Sequence, residues 1–181
     1  ATTCLYIWEF RSVCVQISFH HTNPAAGHES TLLKIHPHDS DPYWYLIDAG
    51  KRVTPAAFMG SEETLDGVFL THAHSDHYES LGSVLSATAD TPLFTSPGTA
   101  AIIEQVYAEA DTYRNLGNAE EITTSLTPVD SWTSLTDEVD ILPIPAGHTP
   151  GAAAFLFRID DLSRSNETVT LLATGDFTTQ S

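Results

Sequence analysis

Seven consecutive residues, Thr71-His72-Ala73-His74-Ser75-Asp76-His77, set three imidazoles and a carboxylate between an apolar run and a stretch with helical periodicity. Side chains two apart in an extended chain point the same way, so His72 and His74 can grip one ion. Imidazole nitrogen and carboxylate oxygen suit Zn²⁺, with Mn²⁺ or Fe as substitutes, and no thiol is required. A solvated histidine-rich turn is the bland reading, but four ligand-bearing residues in six positions at a strand-to-helix junction favour a metal site.

The positioning elements can be read on either side. Val68-Phe69-Leu70 is a short buried strand, and Leu81, Val84 and Leu85 recur at helical spacing, predicting a helix over 77–88. Ser75 or Asp76 lies near its start, so Asp76 and His77 project from the first turn as a second pair of ligands. Tyr43 to Ile47 is aromatic and β-branched, a strand that delivers Asp48-Ala49-Gly50 to its C-terminal end. Ser96-Pro97 supplies an N-cap and an N1 proline after the short strand Leu93-Phe94-Thr95. The helix that follows buries Ile102, Ile103, Val106 and Tyr107 and ends before Gly117.

Other segments read less sharply. Residues 4–19 form one or two strands, with Cys4 and Cys14 as buried free thiols, and residues 20–27 form a loop before a strand at Ser30 to Ile35. His36-Pro37-His38 imitates a metal motif, but two prolines in seven residues make it a solvated turn. The stretch 118–138 holds weak strands, with Trp132 packed on the core. Val139 to Ile144 is a strand whose Pro143 and Pro145 suggest a sheet edge or a strand exit. Ala152 to Ile159 and Thr168 to Ala173 form a hairpin.

Two further ligands follow these late strands. His148 sits in the Gly/Pro loop Pro145-Ala146-Gly147-His148-Thr149-Pro150-Gly151, where it would complete the ion held by His72 and His74. Asp176, after a strand and Gly175, can reach two ions at once.

His72-x-His74-x-Asp76-His77 resembles the His-x-His-x-Asp-His signature of the metallo-β-lactamase superfamily. Asp48, the Gly147-His148-Thr149-Pro150-Gly151 loop and Gly175-Asp176 follow in that family's order. The resemblance implies an α/β fold, an αββα sandwich, over a single domain spanning 1–181. It implies that His72, His74 and His148 hold one zinc, that Asp76 and His77 hold a second, that Asp176 bridges, and that Asp48 supports the loop from behind the ligands. The family pattern carries one more histidine downstream of the bridging Asp. The expectation is therefore an N-terminal portion of a longer protein, incomplete at its C-terminus; the alternatives are a weak, open second site or a ligand supplied by another chain, and a homo-oligomer is possible.

The chemistry expected is hydrolysis by a metal-activated water, with Asp76 accepting its proton. No Gly-x-Ser-x-Gly elbow is present for covalent catalysis. Ala146-Gly147-His148, Gly151 to Ala154 and Thr174-Gly175-Asp176-Phe177 resemble the β-CASP branch, nucleases that cleave phosphodiesters. The same histidine loop is as similar to glyoxalase II-type and lactonase-type enzymes acting on thioesters and esters, and a non-catalytic metal-binding domain is a third reading.

Composition bounds these readings. The 181 residues are 41% hydrophobic, enough for one sizeable core. Lys and Arg total 7 against 24 Asp and Glu, a net charge of −17 that ordinarily argues against a polyanionic partner. Two lysines and carboxylates spread along the whole chain also fit a protein kept soluble in concentrated salt, where screening shortens to roughly 3 Å. A halophilic, cytoplasmic source is the expectation, with no apolar run long enough to span a membrane.

Overall fold

The structure is a computed structural model that describes residues 15–23, 29–37, 40–88, 90–161 and 167–178. Cys4, Cys14, the strand expected before residue 15, His38 and the hairpin turn lie outside the described residues.

Two sheets carry the architecture. The first has six strands in chain order, β1 Gln16–His21, β2 Thr31–His36, β3 Tyr43–Ile47, β4 Gly67–Leu70, β5 Leu93–Thr95 and β6 Leu126–Pro128. The first three strands pair antiparallel, and β3 to β6 pair parallel. The second sheet is antiparallel in the order β10-β9-β8-β7, formed by β7 Thr133–Ser134, β8 Val139–Pro145, β9 Ala153–Asp161 and β10 Glu167–Ala173.

Alternation along the strands divides the core into two layers. Leu33, Ile35, Tyr45, Ile47, Phe69 and Phe94 face the second sheet and pack on Ile141, Phe155, Phe157 and Ile159. Phe69 is the hub, its ring centroid 4.9 Å from Phe155 and 5.1 Å from both Phe157 and Phe94. Leu32, Trp44, Leu46, Val68, Leu70 and Leu93 face the other way, against helices. Both faces of β3 and β4 are buried, which is why these strands read as unbroken apolar runs.

The helices are α1 Ser75–Tyr78, α2 Leu81–Ala87, α3 Pro97–Arg114 and α4 Ala119–Ser125. Tyr78, Leu81, Val84, Leu85, Ile103, Tyr107 and Ile122 bring all four onto the first sheet. The described layers are thus helix, sheet, sheet, and among the described residues no helix covers the outer face of the second sheet. No helix there is long and apolar enough to cross a membrane.

Several expectations need correction. The helix expected over 77–88 is broken at Glu79-Ser80, because the Ala49 amide takes the His77 carbonyl at 2.7 Å and the Ser80 amide bonds Ala49 O and Gly50 O. Tertiary partners outcompete the helical ladder there. The stretch 118–138, expected to hold only weak strands, contains α4, which docks Ile122 into the core. Trp132 is 44% exposed and lies under the Arg158 guanidinium, 4.4 Å from its ring centre, rather than in the core. Ile102 is exposed while Ile103 and Tyr107 are buried, so the buried stripe of α3 is narrower than its apolar content suggests. His20 and His21 continue β1 instead of opening a loop.

The prolines of β8 behave as read. β7 pairs only with Asp140 and Ile141, so Pro143 and Pro145, which have no N–H to donate, lie beyond its reach where no second strand needs one. Ser96 caps α3 through its Oγ, which accepts from Thr99 N at 3.1 Å, and the helix ends at Arg114 with Asn115 left-handed.

Candidate metal centre

The ends of β3, β4, β8 and β10 meet at one rim, each delivering a loop with a polar residue. Asp48 follows β3, Thr71 to His77 follow β4, His148 follows β8 and Asp176 follows β10. Backbone bonds knit the loops together: Ala153 N donates to Thr71 O at 2.9 Å across the sandwich, and Thr178 N to Ala146 O at 3.2 Å.

Two groups of ligand atoms result. His72, His74 and His148 form the first, with His72 Nε2 3.0 Å from His74 Nδ1 and His148 Nε2 3.3 Å from the same atom. His72, His77 and Asp176 form the second. Asp176 Oδ2 stands 3.7 Å from His77 Nε2 and 3.6 Å from His148 Nε2, between the two groups. Both groups contain His72, which is fully buried.

The described structure keeps Asp76 out of both groups. It sits half-buried on the first turn of α1, and its charge is felt at His77. Asp48 is buried and bonded to the loop that carries the ligands. Its Oδ1 accepts the Thr71 amide at 2.8 Å, and its Oδ2 lies 2.8 Å from His77 Nδ1. Thr71 had no role assigned to it in the sequence, although it opens the motif. Its hydroxyl donates to Asp48 Oδ2 at 2.8 Å and lies 3.0 Å from His72 Nδ1. With the hydroxyl proton on Asp48, the Thr71 oxygen accepts from His72 Nδ1–H, which leaves His72 Nε2 with its lone pair toward His74. Only a short polar side chain beside the first histidine hinted at this.

Protonation follows from the surroundings. Burial, then the neighbouring rings of His77 and His74, push the His72 pKa down to about 4, so the ring is neutral near pH 7 and fit to ligate. Burial works in the same direction on His77, but the hydrogen bond and charge of Asp48, with Asp76 and Asp176, outweigh it and raise that pKa above the ordinary value. His77 Nε2 is buried and has no hydrogen-bond partner. A buried ring nitrogen without a partner, opposite a carboxylate, fits a cation between them. The donor sets of both groups, three imidazoles and two imidazoles with a carboxylate, fit the same class of ion.

Two glycines shape the rim. A Cβ on Gly151, at φ 85°, would meet Thr99 N at 2.4 Å, and its carbonyl accepts from Thr99 Oγ1 at 3.0 Å and from Ser96 Oγ. The His148 loop is thereby pinned to the start of α3. A Cβ on Gly175, at φ 56°, would strike the Thr71 side chain at 2.7 Å.

A profile of the Beta-lactamase superfamily domain matches residues 41–173, which run from β3 to the end of β10. The chain belongs to the metallo-β-lactamase superfamily. Members of this superfamily are generally metal-dependent hydrolases. The chain is 30% identical over 115 residues to protein artemis of Gallus gallus, covering 60% of this chain and 15% of that protein. It is 31% identical over 134 residues to ribonuclease Z of Mycobacterium bovis (strain BCG / Pasteur 1173P2), covering 64% of this chain and 48% of that one. The chain thus spans less than half the length of these curated relatives. Its fold is similar to that of the metallo-beta-lactamase fold protein YhfI from Bacillus subtilis, at TM-score 0.53 and 22% identity over 91% of this chain and 64% of that one. It is also similar to a putative metal-dependent hydrolase from Parabacteroides distasonis ATCC 8503, at TM-score 0.55 and 12% identity over 90% of this chain and 61% of that one.

Beside the metallo-β-lactamase ligand cluster lies a cavity of about 360 Å³. His77 and Asp176 form part of its wall, and Phe19, Leu33, Ile47 and Leu171 make much of the remainder apolar.

Proposed function

We propose that this domain hydrolyses phosphodiesters in nucleic acid, with one zinc ion held by His72, His74 and His148, a second by His77 and Asp76, and Asp176 shared between them. The observation that carries the reading is Asp176 Oδ2 lying 3.6–3.7 Å from a histidine of each group, which suits a bridging carboxylate. The kinship with artemis and ribonuclease Z supports a nucleic-acid substrate. Mn²⁺ or Fe would suit the same donors. Bound there, the pair of cations would supply an acidified water and polarise the bond under attack.

The chain's own residues do the rest. Asp48 and Thr71 orient His77 and His72 and set which ring nitrogen faces the centre. Asp76, from its motif position and its charge at His77, is the residue we assign as a further ligand and as acceptor of the water proton. Neither ligand group contains a thiol, so the nucleophile in this reading is water.

The test is cleavage of a labelled RNA oligonucleotide by the Zn²⁺-loaded chain, with and without chelator, alongside His74→Ala. Metal-dependent cutting lost in the variant supports the proposal. An intact oligonucleotide beside hydrolysis of a thioester or lactone would reverse it in favour of an esterase of glyoxalase II type, which the apolar cavity next to Asp176 favours. One ion per chain and no turnover on any substrate would leave a non-catalytic metal-binding domain.

A further inference from the structure

One aromatic on the inner face of the first sheet is left nearly half exposed. β1 and β2 pair with Ile17 opposite Ile35, Phe19 opposite Leu33 and His21 opposite Thr31, and directly opposed side chains share a face. That face looks toward the second sheet, on which Ile17, Leu33 and Ile35 pack. Leu33 and Ile35 are buried there, yet Phe19 is 46% exposed.

The reason is the cavity of about 360 Å³, whose wall Phe19 shares with Leu171 of the opposite sheet and with His77 and Asp176 of the metal centre. A group lodged there is bounded at once by ligand-cluster residues and by an aromatic ring. The volume is at the small end of small-molecule sites, roughly 300–1,000 Å³, and suits one planar group rather than a stretch of duplex. His21 Nδ1 lies 3.3 Å from Thr31 Oγ1 in the same wall, a polar pair that can meet the heteroatoms of such a group.

Charge removes the usual way of holding a polyanion. Lys and Arg total 7 against 24 Asp and Glu. Lys34, Lys51, Arg114 and Arg158 are each in an ion pair, with Glu63, Glu79, Glu79 and Asp140 respectively. Gripping a nucleic acid by its phosphates draws on free cations, whereas stacking a base on an aromatic ring needs none and tolerates any base.

We infer that this cavity is a base pocket, in which one unstacked nucleobase next to the phosphate under attack lies against the Phe19 ring. This rests on the nuclease reading and deepens it: the substrate is single-stranded or locally opened, and is held through a base rather than through its backbone. His21 and Thr31 meet the base edge.

The test compares kcat/KM of the metal-loaded full chain on a labelled single-stranded RNA oligonucleotide and on the same backbone built from abasic riboses. The wild type should be slower on the abasic strand by about tenfold or more, the order expected of one stacked base. Phe19→Ala should lose a similar factor on the intact strand, mostly in KM, and nothing further on the abasic one, whereas a merely structural role would slow both. Phe19→Tyr keeps the ring and should keep the rate. Phe58→Ala removes the ring that stacks on His20, on the other face of β1, and should leave both rates unchanged. The loss in Phe19→Ala should be the same at low and high salt, because stacking is not screened as ion pairs are. The wild-type comparison does not depend on how any variant folds. Equal cutting of both strands by the wild type, or equal slowing of both in Phe19→Ala, would overturn the base pocket and leave the nuclease reading standing. If the wild type cuts neither strand, both fall.

Discussion

Asp48 Oδ2 lies 2.8 Å from His77 Nδ1, and the same carboxylate takes the Thr71 amide at 2.8 Å through Oδ1, so one buried side chain ties two parts of the metal loop together. Asp48 itself sits in the left-handed region at φ 59°, a conformation Asp tolerates better than most residues. The bond forces His77 to offer Nε2, the atom that faces Asp176.

Asp48→Asn keeps the shape but removes the charge that orients His77. Metal affinity should drop by 10–100-fold, the usual cost of losing a carboxylate behind a histidine ligand. Competition with a fluorescent chelator measures it, and an unchanged affinity would mean that packing alone positions the ring.

His148 lies in the first ligand group alone and His77 in the second alone. His148→Ala should therefore lose the first ion and His77→Ala the second, each variant keeping the other. Elemental analysis of each purified variant decides it. Loss of both ions, or of neither, in either variant would overturn the division of the ligands into two sites.

Gly151 has no room for a side chain against α3. Gly151→Ala combines a clash with Thr99 N and an unfavourable backbone conformation. It should cost about 1–3 kcal/mol in urea unfolding and also weaken the first metal site, because His148 rides on this loop. A stability loss without any change in metal binding would show that the loop tolerates the shift.

The depressed pKa of His72 makes the metal-free fold sensitive to acid. The unfolded chain takes up a proton near pH 6.5, whereas burial and the His77 and His74 rings delay uptake in the folded chain to about pH 4. Between those values the unfolded state binds more protons, so stability falls as pH drops, by about 1.4 kcal/mol per pH unit. Above pH 6.5 the ring is neutral in both states and contributes nothing. His77 has the opposite sign: its raised pKa means that its contribution is complete below its unfolded value, so it does not offset the fall. Urea titrations of chelator-treated protein at pH 7 and pH 5 should show a larger loss for the wild type than for His72→Gln, and identical losses would refute the assignment.

The sequence by itself determined the strands at the heart of the first sheet and the ligands they deliver. Tyr43 to Ile47 and Val68 to Leu70 are apolar on both faces, which only a strand buried between helices and a second sheet requires. The period of two then sends His72 and His74 the same way whatever the rest of the chain does. Only the tertiary structure decided how those ligands are grouped. It placed Asp176 between His77 and His148, brought Asp48 and Thr71 behind them, and left Asp76 outside both groups. It also broke the expected helix at Glu79-Ser80, exposed Trp132 and folded 119–125 as a helix. In the first of these, a partner far along the chain took a hydrogen bond that local propensity would have assigned elsewhere. Local periodicity dictates where a side chain points, but contacts between distant segments dictate what it meets, and neighbouring residues in sequence carry no record of those partners.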